Sequence, residues 1–213
     1  MPAIDLSQIT LAILAGGQGS RMGQPKGELR IGDQPILIHL LQQIGWPGPT
    51  LLVTAPGVQH PPGHDRFDSE AVDPQSGLGP LRGVLTALEH ATTDVVVITT
   101  VDLPNMRLGN LSYAVERLMQ SADRAALMFR RNVASEPEVE PVIEPFPLAI
   151  HKRLTADVAA RLASGRRSVH GLSQLSGVVV ETAPVDWRES IWMNLNTPQD
   201  LRAFLDSRSD NAQ

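Results

Sequence analysis

The sequence predicts an α/β protein, with helices sandwiching a mostly parallel sheet. Three observations predict it. Short apolar runs alternate with amphipathic stretches along the chain. Several runs are apolar at consecutive positions, which suits strands buried on both faces. Gly16-Gly17, Asp73 and Asp102 each fall at or just after the end of a run. In open parallel sheets, ligands sit beyond the carboxyl ends of the strands.

The elements follow in order. Leu11 to Ala15 is a short apolar run and reads as a buried strand ending in a glycine loop. Pro35 to Ile44 is apolar nearly all round and opens with proline, so it reads as a buried helix. Leu51 to Thr54 is a short strand. Residues 55–69 carry three prolines, two glycines and three charges, and read as a mobile loop. Ala71 to Asp73 reads as a strand end, and Gly77 to Gly79 as a turn. Pro80 opens a helix whose Leu81, Val84, Leu85 and Leu88 recur at helical spacing. Asp94 to Val101 is β-branched and almost wholly apolar, the mark of a central strand.

Leu108 to Met119 reads as a helix and Ala125 to Phe129 as a strand. Residues 130–141, where Glu, Pro and Val alternate, read as a loop or insertion. Leu154, Val158 and Leu162 mark a helix closed by Gly165. Val178 to Thr182 is a strand. Thr197-Pro198 caps a final helix through Leu201, Phe204 and Leu205. Arg208 to Gln213 is polar and is expected to be a disordered tail.

The 213 residues fit one domain, residues 1–213. The chain has no cysteine, which excludes disulfides, Cys-ligated zinc and iron–sulfur clusters. Its net charge of −5 and lack of a basic stripe argue against a nucleic-acid partner. Met1 to Thr10 lacks the basic and apolar regions of a signal peptide, and no run of 18 apolar residues exists. The expectation is a cytoplasmic protein with no membrane attachment.

Leu14 to Gly27 holds five glycines in fourteen residues. Glycines let backbone N–H groups approach a phosphate closely, and Arg21 and Lys26 add charge where anionic oxygens would lie. Two familiar loops are excluded. Lys26 is followed by Gly27-Glu28, not by the Ser or Thr of a P-loop. Met22 stands where a dinucleotide loop needs glycine or alanine. Asp102 follows seven nearly uninterrupted apolar residues, which places it at the mouth of the sheet. A carboxylate there suits Mg²⁺, which takes one or two carboxylates plus substrate phosphates.

These residues carry a resemblance. Leu14-Ala15-Gly16-Gly17, Arg21-Met22-Gly23, Lys26 and the stretch Leu29 to Pro35 resemble nucleotidyltransferases of the molybdenum-cofactor guanylyltransferase type, the MobA-like family. Asp73 with Gly79 to Gly83, Thr99 to Pro104, Gly165 to Ser168 and Asn194 to Pro198 resemble its later landmarks. The resemblance implies a three-layer sandwich with a Rossmann-like sheet, of the nucleotide-diphospho-sugar transferase type. It implies transfer of GMP from GTP to molybdopterin with release of pyrophosphate, and Mg²⁺ as cofactor.

The implied roles are specific. The backbone of Leu14, Ala15 and Gly16 would touch base and sugar, while Gly17, Gly19 and Ser20 would cradle phosphate. Lys26 and Arg21 would hold the triphosphate, and Asp102 would bind the metal. Asp73, Gly79 and Pro80, with Gly83, would shape the nucleoside pocket, and Thr54 joins the nucleotide-binding set. Asn194 and Asn196 would face the acceptor or orient the metal. A protein partner in cofactor delivery also fits.

Alternatives stay open at this point. The short Gly23-Gln24-Pro25-Lys26 spacing is similar to cytidylyltransferase relatives. A sugar-1-phosphate nucleotidyltransferase and a non-catalytic nucleotide-binding module also fit. Glu140 and Glu144 would repel an anionic acceptor if they pointed inwards. The six histidines show no metal spacing, and His60 and His64 read as solvent-exposed loop residues. Trp46, Trp187 and Trp192 read as packing residues.

Overall fold

The computed structural model describes residues 4–131 and 142–210. The first apolar run forms β1 (Thr10–Leu14). After the glycine loop comes a small antiparallel hairpin, β2 (Arg30–Ile31) and β3 (Gln34–Pro35), then helix α1 (Ile36–Ile44). β4 (Thr50–Thr54), β5 (Ser69–Val72), α2 (Pro80–His90), β6 (Val95–Thr100) and α3 (Leu108–Met119) follow. The rest is β7 (Ala126–Arg131), β8 (Val142–His151), α4 (Thr155–Ala163), β9 (Val178–Thr182) and α5 (Pro198–Asp210).

Seven strands form one sheet in the order β5-β4-β1-β6-β8-β7-β9. Every neighbouring pair is parallel except the two that β8 makes. All residues of β1 and β4 are buried, so the sheet is covered on both faces and the molecule has three layers. α2 packs on β1, β4, β5 and β6, and α3 on β6, β7 and β8. Each fully buried Leu or Ile in this core contributes about 1.5–3 kcal/mol over an exposed one.

α3 spans the residues that the periodicity predicts. β8 is the strand of the main sheet that periodicity misses. Its sequence runs through Pro145 and Pro147, and proline cannot donate to a ladder. The structure resolves the conflict by a register shift between Leu127 and Phe129 on β7. Paired residues resume on either side, Glu144 with Phe129 and Ala149 with Leu127, so both prolines fall in the interruption. Arg130 and Arg131, expected in a loop, close β7. Residues 132–141, Glu140 among them, lie outside the described residues.

Two more expectations change. The segment at 55–69, read as mobile, is packed: Phe67 is buried and His64–Arg66 form a 3₁₀ turn. Arg208, expected in a disordered tail, belongs to α5. Its guanidinium sits 5.6 Å from the Phe204 ring centroid, and one nitrogen lies 3.3 Å from His39 Nε2. Burial, with the Arg208 charge beside it, holds His39 below the ordinary histidine range. Residues 211–213 lie outside the described residues.

Candidate nucleotide-binding site

The chain runs outward from β1 through β4 to β5, then returns to place β6 on the other side of β1. That reversal opens a crevice over the carboxyl ends of β1 and β6. A cleft of about 400 Å³ lies there. Leu14, Gly16, Gly17, Lys26, Asp73, Gly79, Pro80 and Asp102 all line it, as does Gly83. These residues come from four separate segments, and the fold brings them together.

The glycine loop has one position that only glycine can hold. Gly19 has φ +59°, and a Cβ there would lie 1.9 Å from the carbonyl oxygen of Gln24. The loop then turns back, and the Lys26 N–H donates to the Gly17 carbonyl at 3.2 Å. The Lys26 Nζ reaches Asp102 Oδ2 at 2.6 Å and Asn196 Oδ1 at 2.6 Å. Lys26 and Asp102 are each 17% exposed, so solvent and ligand reach both.

Asp102 is held from two sides. Thr100 Oγ1 donates to its Oδ1, and its carbonyl accepts the Leu195 N–H at 2.9 Å. The second bond ties the Asn196 segment to the end of β6. A cap at the start of α5 finishes the placement. Asp200 Oδ2 accepts the N–H groups of Asn196 and Thr197, and Thr197 Oγ1 accepts the Asp200 N–H. Local capping chemistry thereby sets a side chain 170 positions away on Lys26.

Asp73 follows β5 and is buried. Its N–H donates to the Thr54 carbonyl at 2.8 Å. Its Oδ1 has no hydrogen-bond partner among the described residues. Burial pushes its carboxyl above the ordinary carboxylate range, against the opposing pull of the Thr86 hydroxyl and the Arg82 guanidinium. A buried carboxylate oxygen bordering a cleft is an acceptor awaiting a donor.

Beside it, Gly79 and Pro80 begin α2. One turn on, a Cβ at Gly83 would lie 3.3 Å from Leu14 Cδ1, so helix and strand meet closely under the cleft.

Other sequence-predicted residues lie off the lining. Thr54 is fully buried and its Oγ1 donates to Glu70 Oε1 at 2.8 Å, so it positions Asp73 through its backbone and does not reach the cleft. Ala15 is buried too, and its N–H is spent on the Val53 carbonyl. Gly19, Ser20 and Arg21 sit on the outer part of the loop. Ser20 and Arg21 are exposed, and among the described residues Arg21 has no ion pair. Asn194 is exposed and donates to the Trp192 carbonyl at 3.0 Å. The structure therefore brings Asn196, and not Asn194, to Lys26.

Arg167 was legible only as part of a landmark. It donates to the Gly77 carbonyl at 3.1 Å, beside the turn that borders the cleft. Its signal was its place in the Gly165 to Ser168 segment. Glu144 lies 2.5 Å from the Arg131 guanidinium, which neutralises the charge that would repel an anionic acceptor. The tryptophans pack as expected. Trp187 contacts Phe129, Tyr113 and Trp192, and Trp46 Nε1 donates to the Ile9 carbonyl.

A model of the MobA-like NTP transferase domain matches residues 11–178, which include the glycine loop, Asp73 and Asp102. The chain belongs to this family. The transferase is 32% identical over 208 residues to the molybdenum cofactor guanylyltransferase of Vibrio cholerae, covering 96% of this chain and 95% of that one. Its fold is similar to molybdopterin-guanine dinucleotide biosynthesis protein A from Archaeoglobus fulgidus. The TM-score is 0.74 at 22% identity, over 94% of this chain and 99% of that one.

It is also similar in fold to 2-C-methyl-D-erythritol 4-phosphate cytidylyltransferase from Thermus thermophilus. There the TM-score is 0.67 at 18% identity, over 93% and 98% of the two chains. The transferase is thus a nucleotidyltransferase with the nucleotide-diphospho-sugar transferase fold. Among the described residues, no helix is long and apolar enough to cross a membrane.

Proposed function

We propose that the transferase moves GMP from GTP to a phosphate of molybdopterin, releasing pyrophosphate, with Mg²⁺ bound at Asp102. The observation that carries this reading is the meeting of Lys26, Asp102 and Asn196 at the end of β6. Likeness in fold covers guanylyl and cytidylyl enzymes alike. Likeness in sequence is to a guanylyltransferase, which favours GTP over CTP.

The residues fit a hard dication. A carboxylate oxygen and an amide oxygen already converge on one positive centre, the Lys26 ammonium, and Mg²⁺ prefers such oxygens. Asp102, with Asn196 beside it, would hold the ion. When bound, Mg²⁺ would draw negative charge from the phosphate oxygens.

The chain's own groups supply the rest. Lys26, once turned from Asp102 to the triphosphate, neutralises charge as pyrophosphate leaves. Gly16 and Gly17 present backbone N–H groups to phosphate, and Arg21 reaches in from the loop edge. Asp73 Oδ1 accepts a hydrogen bond from the nucleoside. The acceptor phosphate is already ionised and attacks the α-phosphorus in line, so no general base is needed. Catalysis then rests on positioning and charge neutralisation.

The test is thermal shift with GTP, CTP, ATP and UTP, each with Mg²⁺ or EDTA, followed by pyrophosphate release with molybdopterin. A ligand that favours the folded state raises the melting temperature. A Mg²⁺-dependent rise with GTP alone is expected. A rise with CTP alone moves the assignment to cytidylyl transfer. No rise with any nucleotide at millimolar concentration overturns the nucleotide site.

A further inference from the structure

A second constellation lies on the segment between β4 and β5, in residues that spacing alone set aside as solvent-exposed. Among the described residues, His60 is the one non-glycine with positive φ, at +55°. Such a backbone is uncommon outside glycine, and His is among the residues that adopt it most readily. From it the ring directs Nδ1 to Glu70 Oε2 at 2.9 Å. His64 directs its own Nδ1 towards the same oxygen at 3.4 Å. The two rings lie 4.8 Å apart, and one ligand atom from each of the three residues falls within 4.8 Å of the others.

Glu70 is fixed from behind. Its Oε1 accepts the Thr54 hydroxyl at 2.8 Å and the His60 N–H at 3.1 Å. Thr54 is fully buried and sits on β4, so the sheet itself anchors the carboxylate. An outer hydrogen bond of this kind orients a ligating carboxylate. The front is open, since the His60 side chain is 71% exposed and that of His64 36%.

We propose that His60, His64 and Glu70 bind a single zinc-class dication, leaving an open position for water. Two imidazole nitrogens and one carboxylate oxygen are a donor set that zinc takes readily, with bonds of about 2.0–2.2 Å. Mg²⁺, by contrast, takes oxygen ligands. The site is therefore chemically distinct from Asp102. Small rotations of the two exposed rings close the ligand atoms onto one ion. Pro61, next to His60, packs against Gly27, the neighbour of Lys26, so a bound ion also braces the strand-end segment on which the glycine loop rests.

The experiment is calorimetric titration of the full-length, tag-free protein with ZnCl₂ in excess Mg²⁺, with melting temperature recorded in parallel. One zinc per chain and a melting temperature that climbs with zinc concentration are expected. His60→Asn tolerates the left-handed backbone and removes the imidazole. It should weaken zinc binding at least about tenfold, since even outer-sphere changes at metal sites cost that much. His64→Asn should do the same. Glu70→Gln, which keeps the shape and the bond from Thr54, is the third variant. Absence of saturable zinc binding to the wild type overturns the proposal. So does zinc affinity unchanged in the His60→Asn/His64→Asn double variant with its circular dichroism intact.

Discussion

The two flanks of β6 differ in what they leave open at their strand ends. On the β8-β7-β9 side, charges are spent on each other. Glu181 takes Arg117 at 2.7 Å and Arg124 at 2.8 Å, and Glu144 takes Arg131. On the β1-β4-β5 side, Asp73 keeps an oxygen without a partner, and Arg21 has no ion pair among the described residues. Lys26 and Asp102 pair only across a cleft that both help to line. A fold satisfies its buried polar groups wherever it can. Asp73 Oδ1 is the open acceptor that borders the cleft, while the paired carboxylates of the other flank tie helix and strand together.

Substitutions can break this contrast. The largest effect is expected from Lys26→Ala and Asp102→Ala. Each should lower turnover by on the order of 10²-fold or more, the scale for losing one electrostatic stabiliser. Pyrophosphate release measures it, and near-normal turnover in either variant removes that residue from the chemistry.

Asp73→Asn comes next, and it should separate binding from stability. The folded carboxyl titrates above its unfolded value because of burial. Its contribution to stability is full below about pH 3.9 and is lost as pH rises through the folded value. Asparagine does not titrate. The variant should therefore melt higher than wild type at neutral pH, with the gap shrinking in acid, yet bind GTP more weakly. A variant that melts lower at pH 7 would show that Asp73 is structural.

The smallest effect on activity is expected from Glu181→Gln. It should leave nucleotide binding intact while costing stability by about 1.5–3 kcal/mol, the range for hydrogen bonds to charged groups. Burial raises this carboxyl, but Arg117 and Arg124 outweigh it and hold Glu181 below the ordinary range. That stability is present above about pH 4.3 and lost as pH falls through the folded value. Urea unfolding across acid pH should show the loss in wild type and not in the variant. If Glu181→Gln damages nucleotide binding as much as Asp73→Asn does, the contrast between the flanks fails.

Much of the cleft was legible because its signals are local. The apolar run at Asp94 to Val101 leads into Asp102, and the glycines at 16 and 17 share one loop with Lys26. What stayed hidden depends on distant contacts. Asn196 meets Lys26 through an α5 cap and a backbone bond to Asp102, and spacing cannot show that. Thr54 ends a strand, as expected, but alternation did not reveal that its side chain turns to Glu70. His60 and His64 looked idle because their third partner belongs to another strand. β8 was masked by its prolines, whose cost is met by a register shift that no local pattern announces.

The position of β8 has a consequence for how the chain is made. β7 is synthesised before β8, yet β8 alone joins it to β6. A growing chain that has reached residue 131 holds β6 with an unpaired edge and β7 with no place to dock. Synthesis at about 5–20 residues per second leaves that edge open for on the order of seconds. During that interval β6, five of whose six residues are buried in the finished sheet, presents an apolar edge that a stranger could pair with. The late antiparallel strand is thus the clasp that closes the open edge of β6.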